Sequence, residues 1–206
     1  MKKLVLTTGI FCLLLILSTP AWAITLVNTV QPPANDTGRG IHQTQWLAAE
    51  FSLAQPYILT DILGWMGSYN DGAPVTLAIY GDGGEIPNVN DQLFVDTFYV
   101  PASDGIPDWH GLSGLDWSLM SGTYWVAFEI YGEIPFAYMP YVSPSPQDNE
   151  AYSYMSAAAG QMVYTPYDLG LGIIIEGDQP VIPEPATIVL LGSSFLGFLG
   201  YRRRNI

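Results

Sequence analysis

The chain has 206 residues, 49% of them hydrophobic and only 12% charged, with a net charge of −13. Eighteen of the 19 acidic residues but only one of the six basic residues, Arg39, lie between positions 24 and 180, so that span alone carries −17. Such a surface has no means of neutralising phosphates, which excludes nucleic acid as a partner. The acidity itself has two readings, attraction of divalent cations or basic partners, and simple solubility of an exported domain.

The N-terminus is built in three parts. Met1-Lys2-Lys3 is a basic start, positions 4–17 are apolar, and Ala21-Trp22-Ala23 is a small-x-small cleavage site. Together they predict a secretory signal peptide over 1–23, with Ile24 as the new N-terminus. The only cysteine, Cys12, lies inside the apolar run, and Phe11 before it is not the small residue that lipidation requires. Without that leader the chain has no disulfide and no thiolate chemistry.

Residues 24–180 are long enough to form one domain with a real core. Positions 24–40 are expected to be a loop lead-in. After them come short alternating runs. In Leu47-Ala49-Phe51-Leu53 the odd positions are apolar while Glu50 and Ser52 face away, as a half-buried strand requires. Val75-Leu77-Ile79, Tyr124-Val126-Phe128-Ile130 and Leu169-Leu171-Ile173-Ile175 repeat the pattern. Weaker strands are expected over 57–65, 92–100, 136–139, 152–156 and 161–164. Turn residues such as Asn70-Asp71-Gly72, Gly81-Asp82-Gly83-Gly84, Asp104-Gly105 and Ser121-Gly122 separate them. Eight or nine such strands, with 16 prolines and 21 glycines in the chain, predict an all-β fold, an antiparallel β-sandwich of jelly-roll type.

Two constellations in this span are candidate binding sites. Asp82, Glu85, Asn88, Asn90 and Asp91 collect hard oxygen ligands around a glycine-rich turn, which suits calcium, although the spacing is not that of an EF-hand loop. The competing reading is a solvated hairpin that uses Gly and Asn for turn geometry. Aromatic rings are the second candidate, because exposed rings stack on the apolar C–H faces of sugars. Trp125 alternates with the apolar side of its strand, Trp109 sits in the turn-rich segment Pro107-Asp108-Trp109-His110-Gly111, and Tyr69 lies in a loop, so these three are the expected exposed rings. The alternative is that they fill a core. Catalysis is not expected. His42 and His110 are the only histidines, and neither stands at metal-ligand spacing. No Gly-x-Ser-x-Gly elbow or phosphate-cradling loop is present.

The C-terminus is the most informative part. Pro183-Glu184-Pro185 precedes the 16 uncharged residues 186–201, and Arg202, Arg203 and Arg204 follow them. As a helix the run spans about 24 Å, slightly short of a ~30 Å hydrocarbon core, a difference that snorkelling arginines and local thinning absorb. The prolines set its outer boundary and the arginines mark a cytoplasmic end. Lys2 and Lys3 stay on the same side, so the intervening domain is translocated.

The segment 181–206 resembles the PEP-CTERM sorting signal of Gram-negative bacteria, through Ile182-Pro183-Glu184-Pro185-Ala186-Thr187, the apolar run and the terminal arginines. That resemblance implies export, recognition by an exosortase-type membrane enzyme, removal of the tail, and release or transfer to the cell surface. It also implies association with exopolysaccharide and biofilm. Phe51-x-Leu53, Leu59-x-x-Ile62-x-x-Trp65, Val75-x-Leu77-x-Ile79-Tyr80-Gly81-Asp82 and Leu119-x-x-Gly122-Thr123-Tyr124-Trp125-Val126 resemble the jelly-roll ectodomains joined to such tails. The expected function is a non-enzymatic surface or matrix protein. The alternative is a carbohydrate-binding module with structural calcium, and a polysaccharide-active enzyme is a third reading.

Overall fold

Alternation with a period of two, interrupted by turn residues, lets the span 24–180 bury its apolar side chains between stacked sheets. A computed structural model of the protein describes residues 23–29, 31–32, 38–69, 72–131, 136–142, 150–156 and 161–180. The predicted signal peptide and the sorting tail lie outside these residues. Among the described residues every regular element is a strand. In chain order they are β1 (Ile24–Asn28), β2 (Arg39–Ile41), β3 (Gln45–Leu53), β4 (Tyr57–Ser68), β5 (Ala73–Asp82), β6 (Pro87–Val100) and β7 (Asp108–Leu119). There follow β8 (Gly122–Glu129), β9 (Ala137–Met139), β10 (Tyr141–Val142), β11 (Glu150–Ser156), β12 (Gln161–Pro166), β13 (Gly170–Leu171) and β14 (Ile173–Asp178).

Two six-stranded sheets carry the domain. The first runs β1-β14-β4-β9-β2, with β7 on the other side of β4, and the second runs β12-β11-β3-β8-β5-β6. Their ladders are antiparallel throughout. The core between the sheets takes Leu47 and Phe51 from β3, Leu77 and Ile79 from β5, and Val126 and Phe128 from β8. Facing them are Ile62 and Met66 of β4, Met139 of β9, and Ile173 and Ile175 of β14. Leu47, Phe128 and Leu77 stand in one row across three strands, the cross-strand contact from which sheets draw their stability.

Five strands answer to expectations that need correction. The lead-in 24–40 contributes β1 and β2, which pair with β14 and β9. The segment around Trp109, expected as a turn, opens the twelve-residue β7. The run Leu169 to Ile175 is broken at Gly172 into β13 and β14. Gly172 lies where a Cβ would press on Trp65 and Pro32.

β4 gives the sandwich two poles. At its start Ile58 pairs with Asp178 and with Ser118; at its end Met66 pairs with Asp108 and Ser68 with Ala137. Twelve residues at about 3.3 Å each separate these ends by about 36 Å. Short connections carry the polarity into the second sheet, so the loops 54–56, 83–86 and 120–121 share the pole of Asp178. Tyr69, the loop 101–107 and residues 130–131 share the opposite one.

Thr29, just beyond β1, clamps the far side of β14. Its buried hydroxyl donates to the Leu171 carbonyl (2.7 Å) and accepts from the Ile173 N–H (2.6 Å), while its own N–H donates to the Ile173 carbonyl (2.9 Å). Thr29→Val removes both side-chain hydrogen bonds and deprives the buried Ile173 N–H of its acceptor, a cost of about 2–4 kcal/mol. The expected result is a thermal midpoint lower by about 5–15 °C, with Thr29→Ser near wild type. Equal midpoints for the Val and Ser variants in a melt would refute the clamp.

Candidate functional site

The acidic turn is a hairpin between β5 and β6. Asp82 Oδ1 accepts from the Gly84 N–H (2.7 Å) and Asn88 Oδ1 from the Asn90 N–H (3.3 Å), so both side chains cap local turns. The carboxylate of Asp91 lies over Gly81, in the space a Cβ there would take. Glu85 sits in the turn itself, and Asn90 and Asp91 belong to β6. Among the described residues no three His, Cys, Asp or Glu side chains are grouped to hold a metal ion. Asp82, Glu85 and Asp91 thus do not form such a carboxylate group, and Asn88 and Asn90 add neutral amide oxygens to the same hairpin.

The three expected exposed rings have different fates. Trp125 does point away from the main core, yet it is completely buried, which corrects its assignment as a surface ring. Its outward face is covered because a row of small residues lies beside it: Ala48, Ala127 and Ala78, in register with one another, form a floor over which Tyr80, Trp125 and Tyr164 lie, with Trp46 and Ile86 packed against them. Trp109 is half-buried in β7, opposite Trp65 and edge-on to it at 5.3 Å. Tyr69 follows the end of β4 and is 59% exposed.

Tyr69 and Trp109 belong to one aromatic strip on the outer face of the first sheet. Along β4 the outward positions are Leu63, Trp65, Gly67 and then Tyr69. Trp65 is paired with Trp109 and Gly67 with Tyr138. The ring of Tyr138 lies over Gly67, 3.0 Å from where a Cβ would stand, so the absence of a side chain there is what lets the strip continue. Tyr69 stacks on Tyr138 (5.1 Å, 23° between planes) and approaches Phe136 at 6.5 Å; Phe136 in turn stacks on His42 (6.0 Å, 16°). The Tyr138 hydroxyl donates to the Gly105 carbonyl and ties the loop 101–107 to the strip. Burial pushes the pKa of His42 down, and that of His110 as well, against the opposing charge of Asp108.

A second cluster at the same pole escapes sequence reasoning. Glu129, at the end of β8, is completely buried. Its Oε1 accepts from the hydroxyls of Tyr80 of β5 (2.9 Å) and Tyr164 of β12 (2.8 Å), and its Oε2 accepts from Tyr131. Trp46 packs edge-on against Tyr131 at 4.9 Å and donates its indole N–H to the Ile130 carbonyl (3.1 Å). Hydrogen bonds to an ionised group contribute about 1.5–3 kcal/mol each, which offsets the desolvation of a buried carboxylate. In the sequence Glu129 is merely an outward position of a strand. The available signal is Tyr131 two residues later, and the partners from β5 and β12 become visible only once the sheet order is known.

Chemically, the pole offers stacking surfaces and hydroxyl donors. Tyr69, Tyr99 and Tyr131 are each more than half exposed there, on three different loops or strand ends. The hydroxyls around Glu129 are held protonated. Burial first, and then the charge of Glu129, raise the pKa of Tyr80 and Tyr164 above the ordinary 10.0, and burial of the hydroxyl followed by its hydrogen bond to Glu129 raises that of Tyr131. Above pH 10 the unfolded chain loses these protons while the folded one keeps them. Stability from this cluster is thus fully present below pH 10 and falls as pH rises beyond it. Each of the two buried hydroxyls, Tyr80 and Tyr164, adds about 1.4 kcal/mol per pH unit to that decline. Tyr80→Phe and Tyr164→Phe are expected to flatten the alkaline arm of a stability–pH curve by that amount, and an unchanged slope in both would exclude the cluster as its origin.

The model of the PEP-CTERM protein-sorting motif matches residues 181–204, which include Pro183, Glu184, Pro185 and the arginines Arg202, Arg203 and Arg204. A search of curated proteins finds no match to the chain. The motif implies a membrane-anchored precursor that is processed by an exosortase-type enzyme. The chain therefore carries a PEP-CTERM sorting signal behind an all-β ectodomain and is an exported protein sorted through its C-terminus.

Proposed function

We propose that this is a non-enzymatic surface or extracellular-matrix protein, a jelly-roll-type ectodomain delivered by its tail into the exopolysaccharide layer. The observation that carries the reading is the sorting motif at 181–204, joined directly to the domain at Asp178. A signal peptide over 1–23 starts the export, and the arginine-flanked apolar run 186–201 holds the precursor in the membrane until the tail is removed. The end state is the cell surface or the medium. Catalysis plays no part in this reading, since Glu129, the buried carboxylate, is occupied by three tyrosine hydroxyls.

A second reading, carbohydrate binding, is favoured by the strip His42-Phe136-Tyr69-Tyr138. Rings stacked at low angles on a sheet face, one of them more than half exposed, suit the apolar faces of sugar rings. A span charged −17 selects against uronate-rich or sulfated polymers, so the matching ligand is an uncharged glycan.

Replacing Pro183, Glu184 and Pro185 with alanine is expected to leave full-length precursor in the membrane fraction, and release at wild-type levels would reject the sorting role. Binding of the processed protein to immobilised neutral glycans tests the second reading. Tyr69→Ala is expected to weaken it about five- to tenfold, and a protein that retains no neutral glycan rules the reading out.

A further inference from the structure

Apart from Cys12 the chain has no cysteine, so its β domain has no thiol with which to join a neighbour covalently. It has tyrosines instead, and one of them is set apart by what its hydroxyl meets. Glu129 is completely buried and accepts from three phenols, Tyr80 and Tyr164 on Oε1 and Tyr131 on Oε2. Tyr80 and Tyr164 are each 4% exposed, whereas Tyr131 is 59% exposed. Tyr131 is therefore the phenol of this cluster that a second molecule can reach. Trp46 lies edge-on to its ring at 4.9 Å and is itself anchored to the Ile130 carbonyl, which holds the ring from the side.

A phenol that loses an electron becomes a strong acid, and the electron leaves readily where a base is already placed to take the proton. At Tyr131 the base is a carboxylate oxygen within hydrogen-bond reach of the hydroxyl, the geometry that proton transfer requires. Burial of Glu129 favours the transfer, because a proton on Oε2 removes a charge from a fully buried side chain. The hydrogen bond survives with its direction reversed, the acid O–H donating to the phenoxyl oxygen. Burial, together with the bond to Glu129, raises the pKa of Tyr131, so at neutral pH it is a phenol and has to shed a proton with its electron. Tyr69, equally exposed, is set instead against Tyr138, another phenol and a far weaker base than a carboxylate.

We propose that Tyr131 is a site of oxidative cross-linking, where a one-electron oxidant of the haem-peroxidase class joins it to Tyr131 of a second copy of this chain, with Glu129 as the proton acceptor. Each Tyr131 gives one electron to the oxidant and its hydroxyl proton to Glu129 Oε2. The two radicals form a carbon–carbon bond between ring carbons ortho to their oxygens. The hydrogens on those two carbons then move to the oxygens and restore two phenols. The two electrons, with the two protons released by the glutamic acids, reduce one hydrogen peroxide to two waters. Tyr131 stands at the pole opposite Asp178, so the link forms away from the end where the sorting tail departs.

The purified protein is treated with a haem peroxidase and hydrogen peroxide at about 0.15 M salt, where repulsion between acidic domains is screened beyond about 8 Å. Dityrosine fluorescence and a denaturant-stable dimer report coupling, and mass spectrometry of the digested dimer identifies the linked residues. Links between Tyr131 residues are expected to outnumber those at Tyr69 and Tyr99, and Tyr131→Phe is expected to lower the initial rate about tenfold or more. Glu129→Gln keeps an acceptor oxygen for Tyr80 and Tyr164 but takes the base from Tyr131. It is expected to slow coupling at Tyr131 by a similar factor, with an unchanged near-ultraviolet circular dichroism spectrum. Absence of any dimer overturns the proposal, as do links that fall mainly on Tyr69 or Tyr99, or wild-type coupling by Tyr131→Phe or by folded Glu129→Gln. The wild-type link positions and the Tyr131→Phe rate decide the matter where Glu129→Gln does not fold.

Discussion

The pairing of β4 on both of its edges is the constraint from which the rest of this molecule follows. β14 occupies one side and β7 the other, and β9 continues the ladder at the last two residues. A strand committed in both directions cannot shift register without moving every partner, because a one-residue slip exchanges its two faces. Leu59, Ile62 and Met66 would leave the core, and the outward positions Trp65 and Gly67 would replace them. β4 therefore sets the length of the sandwich, the place where the tail departs, and the face on which the aromatic strip is assembled.

Both outer faces of the sandwich are more heavily built than a solvated sheet needs. On the second sheet, alanines in register on β3, β5 and β8 open a shallow floor, and rings from neighbouring strands close over it. The closure has a cost, since the indole N–H of Trp125 is buried without a partner, as is that of Trp65 on the other sheet. Each such group costs about 1–3 kcal/mol. Glu129 shows how the same cluster limits that cost: three hydroxyls, from β5, β12 and the residue two beyond it, take the place of water around the carboxylate. Tyr164 thereby ties the edge strand β12 to β8, which is separated from it by β11 and β3.

Strands that pack one face on the core were legible in the sequence, because burial on one side writes itself as alternation. That holds for Leu47 to Leu53, Val75 to Ile79 and Tyr124 to Ile130. β7 was illegible for a physical reason: Gly114 takes a positive φ of 71° and marks a register shift against β4, so Leu112 and Leu115 reach the core at odd spacing and no period of two survives. β1 and β2 are short, and what makes them strands is the edge they complete on β14 and β9. The face that Trp125 occupies was readable, but its cover was not. Whether an outward ring is wet depends on side chains from β3, β5 and β12, whose adjacency is a property of topology. Tyr69 and Trp109, read as separate candidates, share a face because β7 and β9 meet β4 on consecutive outward positions.

The two poles divide the labour of the proposed role. The pole of Asp178 holds the start of the first strand, Ile24, and the end of the last, and the aromatic pole stands about 36 Å away. Charge supports the same division. Arg39, the one basic residue of the span 24–180, is engaged internally, packed against the rings of Tyr141 (5.7 Å) and Tyr167 (5.2 Å) and donating to the Tyr167 hydroxyl at 3.0 Å. The outward field is then dominated by carboxylates, and contact with a matrix has to come from surfaces that do not depend on charge. Tyrosines meet that requirement, because their ring faces pack on apolar C–H surfaces and their hydroxyls bond to neutral ones. The exposed rings of Tyr69, Tyr99 and Tyr131 stand at the pole that export and sorting leave free.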